Sequence, residues 1–135
     1  MIDLNALPIA VAVVAVFLVS TVYYIAFAKQ YAELRQQMNP NARVDDARPP
    51  AWKVLVELVR SAIVATVLAG FASLIDIDDW SGAVWLGLSV WVGFPVVLLV
   101  GSVVWDDVPS RLAGLHAGDW LIKLLIISVV VSLWR

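Results

Sequence analysis

The sequence predicts an all-α integral membrane bundle of four transmembrane helices with both termini outside the cytoplasm. Three observations predict it. Hydrophobic residues make up 62% of the 135 and charged residues only 15%, whereas a soluble domain is nearer half apolar and a quarter charged. Residues 6–28 and 80–105 carry no charge over 23 and 26 positions. At 1.5 Å per residue either stretch crosses a hydrocarbon core of about 30 Å. The basic residues, in turn, gather on the loops of one side. The whole chain, 1–135, reads as a single membrane domain.

The first helix is expected over about 6–28. Asn5 is placed to cap it, and Pro8 falls in the first turn, where a missing N–H costs nothing. Ala26-Phe27-Ala28 has the look of a signal cleavage site, but no basic segment precedes it and the apolar run is too long, so the helix is read as retained. Tyr23 and Tyr24 lie near its far end, at headgroup level. Good helix formers continue it through Lys29 to Met38, with Phe27, Tyr31, Leu34 and Met38 at helical spacing, until Asn39-Pro40 stops it.

A polar loop with Pro40, Pro49 and Pro50 leads to a second span over about 52–75. Glu57 and Arg60 lie within it, toward the loop. Ala65, Ala69 and Ser73 form one stripe of small residues, and Ala62, Thr66 and Gly70 another; such stripes let helices approach closely. After the acidic turn Asp76, Asp78 and Asp79, the third span, 80–105, has a Trp at each end, as an aromatic belt predicts. Pro95 frees the carbonyl of Trp91, so a kink is expected, and with Gly93 it could serve as a hinge or a static bend.

The last span carries most of the chemistry. Its uncharged end, 124–134, is 11 residues and cannot cross a bilayer alone. The span must therefore run over about 115–134 and take in His116, Asp119 and Lys123. Counting from Trp134, Lys123 lies about 16 Å deep, near mid-membrane. A Lys there costs about 2.5 kcal/mol or more, so it should face protein or water.

Lys29, Arg35, Arg43, Arg48 and Lys53 flank the first loop and Arg111 the third, while Asp3, Asp76, Asp78 and Asp79 lie opposite, with Arg135 at the terminus. The positive-inside rule then puts both termini outside.

Three further segments carry a resemblance. YYxxFxK at Tyr23 to Lys29, WVGFP at Trp91 to Pro95 and AGxxLIxLL at Ala117 to Leu125, on four short-looped helices, resemble the uncharacterised bacterial family catalogued as domain of unknown function 1761. The likeness covers nearly the whole chain. It implies a multi-pass protein of the bacterial inner membrane and supplies no activity.

The ionisable residues of the second and fourth spans converge. Measured from their outer ends, Arg60 and Asp119 both come out about 22 Å down, which suggests an interhelical pair. Asp119 and Lys123 are four apart, Glu57 and Arg60 three apart. With His116 they make a cluster of five in the inner leaflet, Lys123 joining it from nearer the centre. One reading is a polar pathway or pocket open to the cytoplasm, where Lys123 and Arg60 attract an anion or Asp119 and Glu57 handle a cation or proton. The other is a set of ion pairs that pins helices together.

No cysteine is present, which excludes disulfides, thiolate nucleophiles and Cys-based metal sites. A single His makes a poor metal site, and the DIDDWSG stretch echoes a calcium loop but has Trp80 at its fifth position and Gly87 at its twelfth. No metal or cofactor is expected. Trp85 and Trp91 could stack on a ligand or pack in the bundle. Nucleic-acid binding lacks a basic run, and no G-x-S-x-G, HExxH or phosphate loop occurs, so an enzyme is not expected.

Two functional classes remain. The first is a small transport or permeation module, a homo-oligomer because four helices enclose little of a pathway. The second is a non-transporting accessory or structural membrane protein whose charges fix helix packing or hold an anionic lipid near Lys53 and Arg60.

Overall fold

The computed structural model describes residues 4–40 and 50–134. The elements are α1 (Ala6–Ala26), α2 (Ala28–Met38), α3 (Ala51–Leu74), α4 (Trp80–Trp91), a π turn (Val92–Val96), α5 (Val97–Trp105) and α6 (Ser110–Leu133). No strand occurs among the described residues. Four helical stretches, with α4, the π turn and α5 counted as one, are long and apolar enough to span a membrane. The protein is an all-α multi-pass membrane bundle. Asp3, Arg43, Arg48 and Arg135, four of the residues on which the charge asymmetry rests, lie outside the described residues.

Local chemistry sets the ends of these helices. The Asn5 side chain accepts from the Leu7 N–H at 3.2 Å, and Asp79 accepts from the Gly82 N–H at 3.1 Å, so each caps the helix that follows. The acids of the 76–79 turn thus act in part as caps. Asp76 adopts a left-handed φ of 56° just past α3, with the Ile77 N–H on the Ala72 carbonyl and the Asp76 N–H on the Ser73 carbonyl. That is the hydrogen-bond pattern of a Schellman stop, with a short aspartate in place of the usual glycine.

Two elements differ from the sequence expectation. The first helix does not run straight to residue 38: Phe27 leaves helical geometry at φ −105° and ψ 20°, and α2 starts afresh beyond it. The last helix starts at Ser110 rather than near 115, because Pro109 sits in an extended conformation ahead of the first turn and accepts the Ala113 N–H. Pro95 lies inside the π turn, which widens the helix where proline removes a donor and crowds the carbonyl behind it.

α6 is the centre of the bundle. It packs against α1, α3 and α4, while α3 packs on α1 and α6. Leu124, Ile127 and Val131 of α6 meet Ala12 and Val16 of α1, Leu86 of α4, and Ala65, Leu68, Ala69 and Ala72 of α3 in one core. Of the two small-residue stripes on α3, the one through Ala65 and Ala69 is buried there; on the other, Thr66 is exposed and a Cβ at Gly70 would meet open space. Small residues set the close approaches of α6. A Cβ at Gly87 would lie 3.1 Å from the Leu124 carbonyl oxygen and from Ser128 Oγ, and one at Gly118 would lie 2.5 Å from the Tyr23 hydroxyl.

Candidate functional site

The ionic cluster is built from three helices. On α6, a four-residue spacing sets Lys123 Nζ 2.9 Å from Asp119 Oδ2. The other Asp119 oxygen accepts from Ser20 Oγ of α1 at 2.6 Å. The Lys123 ammonium also lies 3.8 Å from Glu57 Oε2 of α3, and Glu57 Oε1 pairs with Arg60 one turn further along. Trp120 completes the group: Lys123 Nζ is 5.0 Å and the Arg60 guanidinium carbon 5.7 Å from its ring centroid, within cation–π range.

Burial divides the cluster into two ends. The side chains of Asp119 and Lys123 are 5% and 10% exposed, those of Glu57 and Arg60 42% and 52%. Lys123 is 13 residues from Ser110 and 10 from Leu133, so about 20 and 15 Å from the ends of α6. A buried charge at such depth is tolerated only when opposite charges and hydrogen bonds satisfy it, and both are present here.

The expected Arg60–Asp119 pair does not form. Asp119 is taken by Lys123 on its own helix and by Ser20, while Arg60 turns to Glu57 and to the face of Trp120. Intrahelical spacing won over matched depth, because a partner one turn away needs no tertiary adjustment. His116 stands beside the ion pairs rather than in them. Its Nδ1 is 2.7 Å from the Tyr24 hydroxyl and its ring is 6.0 Å from that of Tyr31. Pro95 sits in the π turn and Gly93 beside it has open space where a Cβ would stand.

Ser20 and Trp120 were not expected at the site, and Tyr23 and Tyr24 were expected only at headgroup level, although α1 carried a signal. Ser20 and Tyr24 lie four apart on one face of α1, and Tyr31 follows seven residues further on, in α2. Reading the tyrosines as a headgroup belt hid their second use. Tyr23 donates to the Leu115 carbonyl at 2.7 Å and Trp91 Nε1 to the Ala117 carbonyl at 2.8 Å, so α1 and α4 are both tied to the start of α6.

No group of three or more His, Asp or Glu side chains among the described residues could hold a metal ion. Two shallow grooves of about 350 and 340 Å³ occur, the first lined by Leu34, Gln37 and residues 109–111, the second mostly by apolar residues of the π turn, α5 and α6. Neither includes a member of the cluster.

Four apolar spans, a short-looped bundle and an ionic centre define a small multi-pass membrane protein. The family described as Protein of unknown function (DUF1761) matches residues 7–132, and the chain belongs to it. No curated protein and no solved structure matches the chain.

Proposed function

We propose that this is a non-transporting accessory or structural membrane protein in which the charged cluster fixes helix packing. The observation that carries this reading is that each oxygen of Asp119 and Glu57 faces a group of the protein itself: Ser20 and Lys123 at Asp119, Arg60 and Lys123 at Glu57. The two carboxylates and two cations sum to zero, which leaves little net field to draw in a charged solute. Each contact ties α6 to α1 or α3, or stiffens one of them.

A transport or permeation module is the second reading, favoured by one observation: the Lys123 ammonium is buried near the middle of α6. Proton and ion flux in proteoliposomes separates the two. The packing role expects flux no higher than in empty liposomes for the native chain and for Lys123→Met. Native flux that Lys123→Met abolishes would falsify the packing role.

We propose further that the protein lies in the bacterial inner membrane with both termini outside. Lys29, Arg35, Lys53 and Arg111 share the end of the bundle where α2 lies, and Asp76, Asp78 and Asp79 the opposite end, which supports that orientation.

A further inference from the structure

We infer that a second copy of this chain packs against the flank of α3 that carries Glu57 and Arg60, with each copy's Arg60 meeting the other's Glu57. Arg60 lies nine residues, about 14 Å, into α3, yet its side chain and that of Glu57 are about half exposed, unlike Asp119 and Lys123. Charge that faces hydrocarbon is costly, and intramembrane charges as a rule face protein or water. Within the chain α3 packs on α1 and α6; Glu57 and Arg60 stand at the edge of that contact, beside Lys123 and Trp120 of α6, and next to them Val56, Ile63, Val67 and Leu74 are exposed.

The flank is self-complementary. A guanidinium has five N–H donors, and here one nitrogen, Nη1, is engaged, by Glu57, while the carbon stacks on Trp120. A twofold axis along the membrane normal, the symmetry of most homodimers, gathers two arginines and two glutamates in alternating sign around it. Each guanidinium can then hold two carboxylates, its own and the partner's. The rest of the seam fits a helix pair: Val56, Arg60, Ile63, Val67, Gly70 and Leu74 follow spacings of four, three, four, three and four. The four apolar side chains among them are exposed, and a Cβ at Gly70 would meet nothing within 4 Å. This inference holds for a packing cluster and for a conducting one alike.

The chain has no cysteine, so oxidative cross-linking is clean. Val67→Cys in otherwise native protein, in membranes, should give a disulfide-linked dimer. Val22→Cys, more exposed than Val67 but on α1, should not. Native mass spectrometry from nanodiscs should count two subunits, and Arg60→Glu should weaken self-association about tenfold or more, as loss of a charge-assisted contact implies. Mixing Arg60→Glu with Glu57→Arg chains should restore pairing between unlike copies. Equal cross-linking at positions 67 and 22, no cross-link at 67, or a monomer with a phospholipid retained by Arg60 would each overturn the inference. The Val67→Cys result stands even if a charge variant fails to fold.

Discussion

Asp119 and Lys123, one turn apart on α6, form an ion pair at 2.9 Å that is buried on both sides. The pair arises from local spacing alone, but what surrounds it is tertiary. Ser20 reaches the carboxylate from α1, and Glu57 approaches the ammonium from α3. The pair is therefore the point where three of the four spans are joined by polar contacts, beside a core of alanine, leucine, isoleucine and valine. Van der Waals packing in lipid tolerates many helix rotations; a polar joint of this kind selects one.

Removing one partner should expose this dependence. Lys123→Met leaves Asp119 with a charge and no cation beside it, and breaking a buried pair in this way costs about 3–5 kcal/mol. Replacing both, as Asp119→Asn with Lys123→Met, removes the stranded charge and should lose much less than the sum of the single changes. Unfolding of the reconstituted protein by steric trapping measures all four corners of the cycle. Additive losses would show that the two side chains do not act as a pair.

Glycines of α4 and α5 should split sharply. Gly87 faces the Leu124 carbonyl and Ser128 at the α4–α6 crossing, where a methyl group lands at 3.1 Å from backbone. Gly87→Ala should force the helices apart and cost about 1–3 kcal/mol. Gly101, with nothing within 4 Å of a Cβ, should accept alanine at no cost or gain about 0.5–1 kcal/mol from helix propensity. Thermal unfolding in nanodiscs compares the two directly, and equal effects would contradict the crossing geometry.

The spans were legible because length and apolarity suffice for them: the uncharged runs at 6–28 and 80–105 correspond to α1 and to α4 through α5. So was the local half of the ionic cluster, since Asp119–Lys123 and Glu57–Arg60 are fixed by helical spacing. What was not legible depends on how helices are rotated about their axes. Ser20 is one more small residue on a hydrophobic helix until α1 turns it toward Asp119, and Arg60 matched Asp119 in depth yet faces Trp120. Depth can be counted along a sequence, whereas azimuth follows from packing. That Pro95 would disturb the helix followed from covalent chemistry, but the π turn that accommodates it depends on how neighbouring backbone is satisfied.

The contact of Tyr23 with α6 gives a test of that azimuth. Its hydroxyl donates to the Leu115 carbonyl and sits 2.5 Å from where a Cβ at Gly118 would stand. Gly118→Ala should therefore displace the tyrosine, break its hydrogen bond and loosen α1 from α6. Interhelical hydrogen bonds in membranes average about 0.6 kcal/mol and reach about 1.7, so the loss should exceed that range once the steric conflict is added. Tyr23→Phe alone should cost only the hydrogen bond. In the Gly118→Ala background, however, Tyr23→Phe removes the clashing oxygen and leaves the ring carbon 3.4 Å away, so the second change should recover stability instead of losing more. A double-mutant cycle read by steric trapping gives the sign. Recovery places Tyr23 over Gly118 as described; a further loss would mean that α1 is rotated away from α6 at this level.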